Sequence, residues 1–211
     1  MNHPIVDLPL VENIKKAYLE RVKQTEKILD CYFLPMGAKI LDIGGKEHVD
    51  YCKERNYEYV MLEIEERQKH SKSYLGPEDR NQSYKHDDAV VYDGRNIPFE
   101  DEKFDLVIAN FVFHHAAENT LFLLKQIKKF SKGPVMIGED LSCVTYPLSW
   151  HQRNHNHQAG GLFRSDEEWK ELFRVYGYNI EKQYVIRRKI GKGNNQDHSE
   201  DIYRTIYQLT V

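Results

Sequence analysis

Lys39-Ile40-Leu41-Asp42-Ile43-Gly44-Gly45-Lys46 is an apolar run that ends in an acid and a pair of glycines. A second acid, Glu63, closes another apolar run, Tyr59-Val60-Met61-Leu62, 21 positions after Asp42. A strand, a glycine turn, a helix and a second acid-tipped strand form one nucleoside-binding βαβ unit. Glycine there lets the main chain approach a ligand closely, and a carboxylate suits a pair of ribose hydroxyls. The turn departs from the usual Gly-x-Gly spacing, because Lys46 follows the two glycines directly.

The rest of the chain continues the alternation of strands and helices. Val11, Ile14, Tyr18, Val22, Ile28, Leu29 and Tyr32 recur at helical spacing, which predicts a long amphipathic helix over residues 10–33. Strands are expected at 38–43, 58–63, 89–92, 104–110 and 135–138, with a helix at 47–55. A further helix carries Leu121, Phe122, Leu124, Ile127 and Phe130 on one side. Residues 65–85 are strongly polar and read as a short solvated helix plus loop, and 140–165 as a long loop. Ser165 and Glu168 have capping-box spacing at the start of a helix that Gly177 ends. Two β-rich runs, 179–187 and 201–210, are joined by a polar insert with no helix, which suits an antiparallel pair. The fold expected is α/β: a single domain over 1–211 with an open, mostly parallel seven-stranded sheet, helices on both faces and a C-terminal antiparallel strand pair.

In such a sheet the ligand lies outside the carboxyl ends of the strands. Those ends carry Asp42-Gly44-Gly45, Glu63, Asp93-Gly94, Asn110 with His114-His115, and Glu139-Asp140. A net charge of −3 argues against a general nucleic-acid binder. The three cysteines are widely spaced and odd in number, so no disulfide framework is expected and a reducing compartment is. No apolar run approaches the roughly 20 residues that span a bilayer, and Met1-Asn2-His3-Pro4 does not begin a signal peptide. These features lead us to expect a cytoplasmic protein with no membrane partner.

Four stretches together resemble a known family. They are Ile40-Leu41-Asp42-Ile43-Gly44-Gly45, Val60-Met61-Leu62-Glu63, Tyr92-Asp93-Gly94-Arg95-Asn96-Ile97-Pro98-Phe99, and Phe104 to Asn110 with His114-His115. In order and at this spacing, residues 38–140 resemble a class I S-adenosylmethionine-dependent methyltransferase of the Rossmann-like group acting on small and diverse substrates. The resemblance implies S-adenosylmethionine as cofactor, bound by Asp42, Gly44, Gly45, Glu63, Asp93, Gly94 and Asn110. Gly44 and Gly45 would underlie the methionine part and Glu63 would bind the ribose hydroxyls. Asp93 would accept from the adenine amino group, the Gly94 amide would face the ring, and Asn110 would border the sulfonium. The helix at 10–33 would act as a lid. Where the family pattern is Gly-x-Gly-x-Gly, Lys46 and His48 take the second and third glycine places.

Trp150-His151-Gln152-Arg153-Asn154-His155-Asn156-His157 is rich in histidine, but no Cys or carboxylate lies within the loop, so no metal is expected. Related methyltransferases commonly line the acceptor pocket with this segment, which makes 140–165 the expected acceptor side. His115 and His151 are the candidates for an acceptor-side base or positioning group. Methyl transfer from a sulfonium is a direct displacement that needs mainly positioning. The expected reaction is methyl transfer to a small polar acceptor. The competing reading is a degenerate methyltransferase-fold protein that binds a ligand or partner without catalysis, and a third is an NAD-dependent oxidoreductase. The basic cluster Arg187-Arg188-Lys189 with Lys192 reads as a solvated hairpin, with an anionic acceptor or nucleic acid as the alternative.

Overall fold

The computed structural model describes residues 5–11, 14–45, 47–64, 88–142, 162–190 and 200–211. The chain runs β1 (Ile5–Val11), α1 (Ile14–Leu29), β2 (Lys39–Ile43), α2 (Val49–Glu54), β3 (Glu58–Ile64), β4 (Val90–Tyr92) and β5 (Leu106–Asn110). It continues through α3 (Phe113–Ala116), a 3₁₀ turn (Ala117–Asn119), α4 (Thr120–Phe130), β6 (Val135–Asp140), α5 (Asp166–Val175), β7 (Asn179–Ile190) and β8 (Glu200–Thr210). All eight strands form one sheet in the order β1-β7-β8-β6-β5-β2-β3-β4. β8 runs antiparallel to both β6 and β7, and every other pairing is parallel.

The expected strands stand in the expected sheet, with an eighth added at its edge. Ile5-Val6-Asp7-Leu8 pairs with β7, Ile5 opposite Val185, so the helix begins at Ile14 and not at residue 10. Pro9 falls in the register shift between Leu8 and Val11, consistent with proline's confinement to edge strands. At its other end the helix stops at Leu29, short of residue 33, and the chain turns toward Pro35. The polar stretch 65–85 lies outside the described residues.

The central strands are apolar on both faces because helices cover both. Leu41, Ile43, Val107, Ala109, Val135 and Ile137 pack toward α4 and α5, through Leu123, Leu124, Ile127, Phe130, Trp169 and Phe173. Ile40, Leu106, Ile108 and Met136 face α1 and α2, through Ile28, Leu29, Tyr51 and Cys52. Full burial of each such side chain contributes about 1.5–3 kcal/mol. On α4 the buried stripe is Thr120, Leu123, Leu124, Ile127 and Phe130, whereas Leu121 and Phe122 are exposed. Phe122 instead carries the Arg95 guanidinium, 3.7 Å from its ring centre.

The capping box of α5 forms as read: Ser165 Oγ accepts from Glu168 N, and Glu168 Oε2 accepts from Ser165 N at 2.7 Å. Asp166 in the next position accepts from Tyr207 Oη (2.5 Å) and Gln183 Nε2 (2.6 Å), which ties the helix to β8 and β7.

Candidate active site

The direction of strand addition reverses between β2 and β5, since β3 and β4 lie on one side and β6 on the other. This is the switch point at which open α/β sheets leave a crevice. Gly44 sits there with φ +68°, its amide donating to Leu62 O at 2.7 Å. A Cβ on Gly44 would meet Val112 Cγ2 at 2.8 Å, and one on Gly45 would meet Asp42 Oδ1 at 2.5 Å. Across the crevice, a Cβ on Gly138 would meet Asn110 Oδ1 at 2.7 Å. Gly44 and Gly45 thus stand at the switch point and Gly138 beside it in β6, and at Gly45 and Gly138 a polar side chain takes the space a Cβ would need. Lys46 lies outside the described residues.

Side-chain alternation puts Asp42 on the α1/α2 face of β2, beside Ile40. It is 1% exposed, with Oδ2 accepting from Tyr59 Oη at 2.5 Å and Oδ1 without a partner among the described residues. Burial, only partly offset by the Tyr59 hydrogen bond, pushes its carboxyl up from 3.8 to about 8. Between those values the native protein holds a proton that the unfolded chain has released, so Asp42 makes stability fall as pH rises through the window. Asp42→Asn is expected to remove that component, seen as a smaller difference between urea midpoints at about pH 5 and about pH 9. An unchanged difference would show that Asp42 does not titrate there.

His48 is also 1% exposed, and neither ring nitrogen has a partner among the described residues. Burial first, and then the Arg21 charge, push its imidazole down to about 4, so it is neutral at physiological pH. Arg21, from α1, forms an ion pair with Glu47 and lies 4.5 Å from the centre of the Phe111 ring. The N-terminal helix therefore reaches the glycine turn through one cation.

Phe111 closes β5 with φ +57°, a region disfavoured for a bulky residue, and its amide donates to Gly138 O at 2.6 Å. Arg204 stands 5.2 Å from the same ring, and its Nε donates to buried Asp140 at 2.6 Å. Asn110, immediately before Phe111, has both side-chain amide atoms buried and without a partner among the described residues. On α3, the buried His114 meets Glu139 Oε2 through Nδ1 at 2.7 Å, while Glu139 Oε1 accepts from Phe113 N at 2.6 Å. The His114 ring packs against His115 (centroids 4.0 Å apart) and stacks on Phe163 (4.8 Å, interplanar angle 17°).

At the far rim, Asp93 Oδ1 accepts from the amides of Arg95 and Asn96, and Oδ2 from Asn96 Nδ2. The Asn96 and Arg95 bonds hold its carboxyl below the usual range. Asp93 thus builds the turn that gives Gly94 its φ of +79°. Gln126 on α4 fixes this turn by accepting from Ile97 N and donating to Arg95 O. Glu63, at the end of β3, accepts from Ile64 N at 2.9 Å.

Sequence reading placed Asp42, Gly44, Gly45, Glu63, Asp93, Gly94 and Asn110 at the carboxyl ends of β2 to β5, and the structure brings those ends to one rim. His115 is exposed on α3, and it is His114 that the carboxylate holds. His151 and most of the 140–165 loop lie outside the described residues, while Asp140 belongs to β6. Three participants escaped the sequence reading. Arg21 is one cation among several on a helix, Phe111 is an ordinary apolar residue after a strand, and Arg204 sits inside a β-rich run.

Among protein families, the one described as "Methyltransferase domain" matches residues 12–183. No curated protein matches the chain significantly in sequence. Solved structures do. A protein of Bacillus halodurans C-125 assigned as a methyltransferase aligns over 89% of this chain and 97% of its own, with TM-score 0.62 and 13% identity. An S-adenosylmethionine-dependent methyltransferase from Aquifex aeolicus aligns over 91% and 98%, with TM-score 0.54 and 16% identity. A phosphoethanolamine N-methyltransferase 2 from Haemonchus contortus, in complex with phosphomonomethylethanolamine and S-adenosylhomocysteine, aligns over 89% of this chain and 52% of its own (TM-score 0.60, 14% identity). At these identities the likeness is one of fold.

Proposed function

This chain belongs to the methyltransferase domain family and its cofactor is S-adenosylmethionine, and from that premise we propose that it transfers a methyl group to a small polar acceptor. The observation that carries the reading is the switch point at Gly44 and Gly45, where Asp42 Oδ1 and, with Gly138 beside it, the Asn110 amide are buried without partners among the described residues. Bare backbone and unsatisfied polar atoms in one place fit a ligand that is both flat and polar. The cofactor supplies an electrophilic methyl group on its sulfonium.

The chain's own residues would hold and orient it. Glu63 would accept from the ribose hydroxyls. Asp93 keeps acceptor capacity on Oδ2 for the adenine amino group, since a carboxylate offers about four lone-pair sites. Asn110 would border the methionine end. Arg21 joins α1 to the rim, so α1 would act as the lid.

The acceptor side would be the β5–β6 end, where His114 stacks on Phe163 and packs against His115. Displacement at a methyl group needs chiefly alignment of the acceptor, and a base only where a proton must leave. His114 suits that task better than His115. The Glu139 carboxylate meets its Nδ1 at 2.7 Å and so fixes the orientation of the ring. An uncharged or zwitterionic small molecule fits a rim where Arg204 is balanced by Asp140.

Calorimetric titration of the purified protein with S-adenosylmethionine and S-adenosylhomocysteine tests the reading. Saturable binding of both is expected. No binding at about millimolar ligand, weaker than roughly −4 kcal/mol, would overturn it.

A further inference from the structure

We propose that His48 is a cofactor-binding residue and that, together with Arg21, it takes the carboxylate at the amino-acid end of S-adenosylmethionine. The proposal rests on the cofactor reading above and adds a recognition element peculiar to this chain. His48 stands at the third glycine place of the family pattern, where the resemblance leads one to expect no side chain at all.

A side chain at that place either fills space or meets the ligand, and the chemistry of His48 separates the two. A filler would be apolar, because an imidazole buried with neither nitrogen paired loses its hydration and gains nothing in return. His48 is 1% exposed, with both nitrogens unpartnered among the described residues. It lies four residues beyond Gly44, immediately before α2. Its neighbour Arg21 supplies a full positive charge, held at the turn by Glu47, whose second oxygen is unpaired among the described residues.

The surroundings have the polarity of a zwitterion's complement. Arg21 and one N–H of the neutral His48 ring present donors to a carboxylate. Asp42, at the Gly45 backbone, offers an ammonium an oxygen that is unpartnered among the described residues, and the Asn110 amide stands near it on β5. The ammonium's charge would favour loss of the proton that burial otherwise keeps on the carboxyl. A neutral ring also has an advantage over a second lysine or arginine. It binds the carboxylate without placing another full cation beside the sulfonium.

The test compares S-adenosylhomocysteine with 5′-methylthioadenosine, which keeps the nucleoside and thioether but lacks the amino-acid end. Calorimetry is run on the wild type, His48→Ala and His48→Gln, with thermal melts to establish that each variant is folded. His48→Ala is expected to weaken S-adenosylhomocysteine by about 10- to 100-fold while leaving 5′-methylthioadenosine within about twofold. His48→Gln, which retains an N–H donor, is expected to recover part of the loss. Equal weakening of both ligands, or of neither, would overturn the proposal. So would a wild type that binds both ligands equally well. A wild type that binds neither ligand would instead overturn the cofactor reading, and this proposal with it.

Discussion

Glu139→Ala is expected to lower the unfolding free energy by about 3–5 kcal/mol, the cost of removing one partner from a buried, hydrogen-bonded charge pair. Glu139 is wholly buried on β6, and its two oxygens serve different elements. Oε1 accepts from Phe113 N and Oε2 holds His114, so alanine strands a backbone donor and an imidazole together. Urea unfolding measures the loss, and a change below about 1 kcal/mol would show that water or repacking replaces both bonds.

The charge itself is read by Glu139→Gln and by pH. Burial pushes the His114 imidazole down, but the Glu139 charge and hydrogen bond, helped by Asp140, outweigh burial and the opposing Arg204 charge, so its net shift is upward. His115 and Phe163 also pack against the ring. A raised histidine contributes stability that is fully present below its ordinary 6.5 and lost as pH rises through the folded value. In Glu139→Gln burial should prevail, and the sign should reverse, with stability then falling as pH drops below about 6.5. A pH profile of the urea midpoint identical to wild type would show that Glu139 does not set the His114 charge.

Glu63→Ala is expected to weaken S-adenosylhomocysteine about a hundredfold, or about 3 kcal/mol, as the loss of charge-assisted hydrogen bonds to a pair of hydroxyls. The fold should barely notice. Glu63 is half-buried at a strand end, outside the apolar core, so the stability change should stay within about 1 kcal/mol. Because the ribose belongs to the nucleoside, 5′-methylthioadenosine should weaken by the same factor, unlike the selective loss expected at His48. Unchanged affinity for both ligands in folded Glu63→Ala would remove Glu63 from the binding site.

The strands that carry the site were readable because strands of a parallel sheet covered on both faces are continuous apolar runs ending in polar residues. Ile40 to Ile43 and Leu106 to Asn110 have that form, and their tips are the crevice. The edge strand Ile5–Val11 was less legible, since its last apolar residues overlap the helical spacing that begins at Val11. The α4 stripe turns Leu121 and Phe122 outward, against their apolar spacing, for a related reason. In an apolar helix nearly every residue suits the core, and only packing selects Leu123 over its neighbours.

The sequence by itself determined the chemistry available at the rim: which residues are acids, where glycine permits close approach, and in what order the strands deliver them. Those properties are local, set by residue type and by a period of two along a strand. Only the tertiary structure decided which groups meet. Arg21 reaches Phe111 from 90 positions away in the chain, and Arg204 reaches Asp140 from 64, contacts that depend on sheet order and not on spacing. The choice between His114 and His115 is of the same kind. The two residues are adjacent and chemically identical, and it is the side of α3 facing Glu139 that makes one the held imidazole and leaves the other exposed.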